Sequence, residues 1–287
     1  MTTDVRSVQA LFPDFESIAP FGKEGAQKIL FLVSWRGRAA LLKLYRKERA
    51  REQRSDREFF VYSKLQSPYV PRVYECGQVR IGDQPYAYLV EQYIEGESLR
   101  DRLDRQPIQP FYFVLKLAEA LLRAATDFEK AGIVHRDIKP ENILIDPIEH
   151  IWIIDFGVVR VLDMPSITVS GLYRGVGTPG YAAPEQFRNI KDAIDARADL
   201  FSIGVVLYEC LAGSNPYLEP WPNLLEIIRR MENEDLPPLD LAEDPQGLFN
   251  RFIHELTARN PNQRPARAAI ALKKFIAIRS LLHTHLG

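Results

Sequence analysis

Cysteine occurs only twice, at Cys76 and Cys210, too sparsely and too far apart for a disulfide framework or a zinc knuckle. Both are expected as buried, reduced thiols, the usual state of isolated cysteines. Long apolar runs are missing as well: the longest, Leu200 to Ala212, is too short to span a bilayer and is interrupted by Glu209. Residues Met1 to Ser17 lack the apolar centre of a secretion signal. Neither sign of charge dominates, since 37 Lys and Arg stand against 38 Asp and Glu, so no global basic field attracts nucleic acid. No internal repeat with a period of about 20 to 50 residues occurs, which sets aside solenoids and propellers. These absences point to a cytoplasmic protein with no membrane or nucleic-acid partner. What is present, 46% hydrophobic residues in a chain of 287, excludes wholesale disorder and suits one large or two moderate packed units, at roughly 150 residues each.

The chain changes character near residue 95. Before it lie short β-rich runs, Ile29 to Trp35, Ala39 to Tyr45, Val70 to Gln78 and Ala87 to Tyr93, with turn signals at Arg36-Gly37 and Gly82-Asp83. Lys47 to Leu65 interrupts them. It has no Pro or Gly and carries Phe59, Tyr62 and Leu65 at helical spacing, which predicts an amphipathic helix. Beyond residue 95 the pattern is helical. Pro110 opens a segment whose apolar face is Phe113, Leu117, Leu121 and Phe128, and Gly132 closes it. Further helices are expected over Ala198 to Ala212, Asn223 to Glu232, Pro245 to Thr257 and Ala266 to Thr284. The expected class is α+β, with a small β-rich lobe ahead of a larger helical one.

The chemistry is concentrated in His135-Arg136-Asp137-Ile138-Lys139-Pro140-Glu141-Asn142-Ile143-Leu144 and, eighteen residues after Asp137, in Asp155-Phe156-Gly157 at the end of an apolar run. Phosphoryl transfer needs a carboxylate near the attacking hydroxyl, a cation on the transferring phosphate and hard oxygen ligands for magnesium. Asp137 suits the first role, Lys139 the second, and Asn142 with Asp155 the third.

On these motifs the chain resembles the eukaryotic-like (Hanks-type) serine/threonine protein kinase family from about Phe21 to Arg264. Gly177-Thr178-Pro179-Gly180-Tyr181-Ala182-Ala183-Pro184-Glu185 resembles the end of an activation segment. Asp199-Leu200-Phe201-Ser202-Ile203-Gly204 resembles the start of the central helix, and Asn260-Pro261-Asn262-Gln263-Arg264-Pro265 the late arginine motif. The resemblance implies a bilobal kinase fold, with residues 1–17 as an N-terminal extension, an N-lobe over about 18–94 and a C-lobe over about 95–287. It further implies ATP with Mg2+, a protein substrate, and a buried Glu185 to Arg264 ion pair. Ala40-Leu41-Leu42-Lys43 resembles Val-Ala-Ile-Lys and makes Lys43 the residue that holds the α- and β-phosphates. Its partner on the charged helix is Glu58, ten residues before Pro68. Gln92 and Ile94 are implied to supply backbone contacts to adenine, and Leu144 its floor. Lys139 and the Gly177 to Tyr181 segment match the serine/threonine branch.

Two departures stand out. The glycine-rich loop G-x-G-x-x-G-x-V is replaced by Gly22-Lys23-Glu24-Gly25-Ala26-Gln27-Lys28-Ile29, which keeps Gly22 in register and displaces Gly25, so backbone access to the phosphates is reduced. Matching Tyr93 and Gly96 to the family puts Glu91 at the gatekeeper position behind the adenine, where a buried carboxylate needs a partner and Lys43 is the candidate; a match shifted by one residue makes Glu91 an ordinary hinge residue instead. Ser166, Thr168, Ser170 and Tyr173 are the hydroxyls available for activation-loop phosphorylation, and Arg136 is of the type that pairs with such a phosphate. His135 is expected to pack rather than act as a base. The competing assignments are a pseudokinase that binds nucleotide or a partner without transfer, favoured by the depleted loop, by Leu41 in place of the family's usual Ala over the adenine and by Glu91, and a small-molecule kinase on the same fold. Asp137, Lys139, Asn142 and Asp155 argue against the first, and the Ala183-Pro184-Glu185 segment against the second.

Overall fold

Apolar residues at every second position build the first part of the chain into an antiparallel sheet. The structure, a computed structural model, describes residues 5–22, 28–46, 65–156, 160–161, 177–188, 194–220 and 222–285. The chain divides into two compact units, Met1–Lys64 with Pro71–Glu95, and Leu65–Val70 with Gly96–Gly287.

In the first unit a helix, α1 (Val5–Leu11), precedes strands β1 (Phe15–Pro20), β2 (Lys28–Trp35), β3 (Arg38–Arg46), β4 (Val73–Ile81) and β5 (Gln84–Gln92), which pair in the order β1-β2-β3-β5-β4. The two expected turns close the β2–β3 and β4–β5 hairpins, at Arg36-Gly37 and Gly82-Asp83. One face of the sheet carries Ile29, Phe31 and Val33 from β2, Ala40, Leu42 and Leu44 from β3, and Tyr86 and Val90 from β5. Val8, Phe12 and Phe15 cover that face. Phe12 stacks on Phe15 with ring centroids 4.9 Å apart and meets Tyr88 edge-on. Val8, Phe12 and Phe15 therefore belong to the core of this unit, and a boundary after residue 17 would cut β1. The period-2 signal of Phe15, Ile18 and their neighbours is weak, which hid this strand.

β4 starts three residues later than its apolar pattern. Leu65–Val70 belongs to the second unit, where Ile153 N–H donates to Tyr69 O at 2.7 Å and Ser67 Oγ to Asp127 at 2.8 Å, and Pro71 has no N–H to give to a ladder. Cys76 lies on β4 at the sheet edge and is exposed, a correction to the expected pair of buried thiols; Cys210 is buried. The helix expected over Lys47 to Leu65 falls, up to residue 64, outside the described residues.

The second unit opens with a short strand, β6 (Glu97–Ser98), and α2 (Leu99–Arg105), capped by Ser98, neither of which the apolar periodicity revealed. α3 (Phe111–Lys130) follows, ending near Gly132 as expected. Strands β7 (Ile133–Val134), β8 (Ile143–Ile145), β9 (Ile151–Ile153) and β10 (Arg160–Val161) bracket the motif residues. A helical turn, α4 (Pro184–Phe187), leads to α5 (Ala196–Ala212), α6 (Leu224–Asn233), α7 (Leu248–Leu256) and α8 (Ala268–His285). α7 begins three residues past its predicted start because the buried Asp244 carboxylate accepts the N–H groups of Leu248, Phe249 and Asn250 at 2.7–3.0 Å.

α5 is apolar on all sides and packs between α3, α7 and α8. Gly204 permits the close approach of α7: a β-carbon there would lie 2.6 Å from Thr257 Cγ2. The expected ion pair is present. Arg264 Nη1 lies 2.6 Å from Glu185 Oε1 and Nη2 3.0 Å from Oε2, with the guanidinium also bonded to the carbonyls of Arg197 and Ala258. Both side chains are buried, so removing one leaves the other charge uncompensated. Arg264→Leu is expected to destabilise this unit by about 3–5 kcal/mol in urea unfolding. Pairing it with Glu185→Leu should recover most of that loss, and a single variant as stable as the parent would contradict the assignment.

Candidate active site

His135-Arg136-Asp137 leaves β7 in a sharp turn whose shape is set from α5. The Asp199 carboxylate, 1% exposed, accepts the N–H of His135 at Oδ2 and of Arg136 at Oδ1, each at 2.8 Å. Two consecutive N–H groups can reach one carboxylate because Arg136 adopts a left-handed backbone, φ 68°. Such a conformation is costly for a non-glycine residue and persists only when its surroundings dictate it. The carbonyl of Arg136 is held as well, accepting from Gln186 Nε2 at 3.0 Å. With the backbone held on both sides, Asp137 has a defined position.

Around Asp137 the side chains close a small network. Thr178 Oγ1 donates to Asp137 Oδ1 at 2.6 Å, Lys139 Nζ donates to Thr178 Oγ1 at 2.7 Å, and Lys139 Nζ lies 3.1 Å from Asp137 Oδ2. Asn142 Nδ2 donates to the Asp137 carbonyl at 2.9 Å and to Oδ2 at 3.1 Å. Asn142 sits in a 3-10 turn, Pro140–Asn142, and its carbonyl accepts the N–H of Ile154, next to Asp155, at 2.9 Å. Asp155 is left-handed too, φ 70°, and the following Phe156 is buried against His135 and Phe128. The structure thus assembles Asp137, Lys139, Asn142 and the start of the Asp155 turn in one place. Asn142 and Asp155 offer oxygen donors of the hard type that suits Mg2+, and the Asn142 amide nitrogen is already committed to Asp137, which turns its oxygen to the ligand role. The residues fit that ion.

His135 is a packing residue, as expected. It is buried, its Nδ1 accepts the Asp137 N–H at 3.3 Å, and burial pushes its imidazole down to about 4. Burial pushes Asp199 up to about 7, opposed by the two N–H groups it accepts.

Several residues of the site were not assigned from the sequence. Thr178 and Gln186 bond to Asp137 and Arg136, and Gly177, φ 120°, brings Thr178 in where a β-carbon would meet Arg136 O at 2.9 Å. Asp199 carried a signal, a carboxylate near the start of a largely apolar helix, which implies a buried partner. Arg100 lies 3.0 Å from Glu209 and 3.1 Å from Glu141, and Tyr181 OH donates to Glu209 at 2.6 Å. These residues line a groove of about 630 Å³ next to Thr178 and Pro179.

In the first unit, Lys43 and Glu91 meet: Nζ to Oε1 is 2.8 Å, with both side chains buried. Gln92 gives its N–H to Arg72 O at 2.7 Å, so a ligand contact from its backbone falls to its carbonyl. Ile94 is half-buried just after β5, and Leu144 is half-buried on β8 of the second unit between the buried Ile143 and Ile145. Gly22 has φ 69° with open space on its β-carbon side. Glu58 and Gly25, like Ser166, Thr168, Ser170 and Tyr173, lie outside the described residues.

The two shifted groups make opposite contributions to stability against pH. Folded His135 binds fewer protons than the unfolded chain between about 4 and 6.5, so its contribution rises with pH there; folded Asp199 binds more between 3.8 and about 7, so its contribution falls. Relative to the parent, His135→Phe should tilt stability downward with rising pH, and Asp199→Asn should tilt it upward. Denaturation midpoints at two pH values within this window test both, and tilts of the same sign would contradict the assignment.

A profile of the protein kinase domain matches residues 25–276. Serine/threonine-protein kinase PknB of Mycobacterium leprae is 30% identical over 217 residues, which is 75% of this chain and 34% of that protein. PknB of Mycobacterium tuberculosis is 31% identical over 206 residues, 71% of this chain and 32% of that protein. PknL of Mycobacterium tuberculosis is 34% identical over 220 residues, 74% of this chain and 53% of that protein. The chain spans about a third of the length of these PknB proteins and about half of PknL.

Proposed function

The chain belongs to the Hanks-type serine/threonine protein kinase family, and on that premise we propose that it transfers the γ-phosphate of ATP to serine or threonine hydroxyls of a protein substrate. The observation that carries this is the network on Asp137, in which Lys139 and Thr178 hold the carboxylate and Asn142 fixes its backbone. Asp137 accepts the proton of the attacking hydroxyl as its oxygen bonds to the γ-phosphorus and the bond to the β-phosphate oxygen breaks, giving a phosphoester and ADP. Lys139, 3.1 Å from that carboxylate, would neutralise charge on the transferring group. Asn142 and Asp155 would hold Mg2+, which supplies charge neutralisation on the phosphates when bound. Lys43 would hold the α- and β-phosphates, and Gln92, Ile94 and Leu144 the adenine. A polypeptide substrate is supported by the groove beside Thr178 and Pro179, whose wall Arg100, Glu141 and Glu209 form.

Transfer from ATP with Mg2+ to the protein itself or to a generic Ser/Thr substrate tests the proposal. Asp137→Asn and Asp155→Asn should each lower kcat by about a hundredfold or more while leaving the fold intact. A parent that binds nucleotide and transfers nothing would favour the binding-module alternative. A parent that modifies a metabolite and no protein would favour a small-molecule kinase.

Regulation by phosphorylation of Thr168 or Ser170 belongs to the same proposal, on the strength of Arg136 preceding Asp137. Mapping of active protein should find modification between Ser166 and Thr178; active protein without any would contradict it.

A further inference from the structure

The Lys43–Glu91 pair is set by the register of the sheet. β3 and β5 are neighbouring inner strands, with Leu41 opposite Glu91 and Lys43 opposite Leu89. Lys43 and Glu91 are thus diagonal neighbours on one face, a separation that long side chains bridge. The ladder between these strands runs unbroken from Ala40↔Gln92 to Arg46↔Tyr86, and the opposite face is locked by Leu42, Leu44 and Val90 in the aromatic core. The ammonium and the carboxylate stand 2.8 Å apart, with side-chain exposures of 4% and 3%.

Such a pair is a poor device for stability. Removing two charges from water offsets most of their attraction, and an apolar pair of similar volume commonly serves as well or better. Leu41 and Leu89, on the same two strands and the same face, show that apolar residues pack there. What the pair does provide is a buried lysine kept charged and aimed by a strand.

We propose that Glu91 is a positioning residue for nucleotide binding: its carboxylate, carried on β5, holds the Lys43 ammonium charged and oriented for the phosphates. The proposal rests on the kinase reading above. It means that the sheet itself sets the orientation of the phosphate-binding lysine, through strand register. A carboxylate on a helix can shift with that helix, whereas β3 and β5 are tied by consecutive backbone bonds.

The test is a double-mutant cycle of parent, Glu91→Gln, Lys43→Met and the double variant, reading the Kd for Mg·ATP and Mg·ADP, the KM for ATP, kcat, and the Tm without nucleotide. Glu91→Gln is expected to weaken nucleotide binding and raise the KM for ATP by tenfold or more. In the Lys43→Met background the same change should alter binding by less than twofold, because the group it positions is gone. A purely structural role would instead lower affinity by the same factor in both backgrounds. Glu91→Asp keeps the charge and withdraws the carboxylate by one methylene, which covers the case where Glu91→Gln does not fold; several-fold weaker binding at an unchanged Tm is expected. Parent-like binding by Glu91→Gln or Glu91→Asp, or losses that multiply across the cycle, would overturn the proposal while leaving the kinase reading in place. A parent that binds no magnesium nucleotide would overturn that reading and the proposal with it.

Discussion

The Asp199 carboxylate, buried in the middle of the second unit, is the constraint on which its chemistry depends. It accepts two consecutive backbone N–H groups, and that demand places Arg136 in a left-handed conformation and presents Asp137 beside Lys139 and Thr178. Leaving either N–H without an acceptor in this interior would cost about 1–3 kcal/mol. The apolar helix that carries Asp199 places two further polar residues with the same logic. Ser202 Oγ donates to the Tyr181 carbonyl at 2.9 Å, and Glu209 accepts from the Tyr181 hydroxyl while pairing with Arg100. One helix therefore holds the loop bearing Asp137, the segment after Thr178, and the start of α2.

The first unit divides its labour between the two faces of one sheet. Phe12, Phe15, Phe31, Leu42 and Val90 form an aromatic and aliphatic core on one side, supplying the area removed from water that holds the strands together. The other side carries Lys43 and Glu91, a buried pair of opposite charges 2.8 Å apart. The alternation of side chains along β3 connects the two roles, since a slip of one residue would exchange Leu42 for Lys43 across the sheet. Core packing on one face thereby fixes where the ammonium points on the other.

Much of this was legible in the residues. Phe111–Lys130 announces itself by long apolar periodicity and by its punctuation, Pro110 at one end and Gly132 at the other, and Ala196–Ala212 by a long, largely apolar run. Asp137, Lys139, Asn142 and Asp155 could be singled out because they are residue types that phosphoryl transfer uses and they fall in two short motifs. The Glu185–Arg264 pair was legible only through family resemblance, since no local rule links residues so far apart. Short elements were not: β1 and α2 have too few residues for a period to emerge, and the helix at Leu248 started where a buried aspartate, rather than a proline, capped it.

By itself the sequence determined the class of fold and the candidate groups for the chemistry, because periodicity and functional-group chemistry are local properties of a chain. Tertiary structure alone decided which atoms those groups meet. That Thr178 bridges Lys139 and Asp137, that Asp199 shapes the loop from a distant helix, and that Cys76 is exposed on an edge strand all follow from strand order and helix packing. These depend on how distant segments bury shared surface and satisfy one another's hydrogen bonds, which no window of neighbouring residues contains.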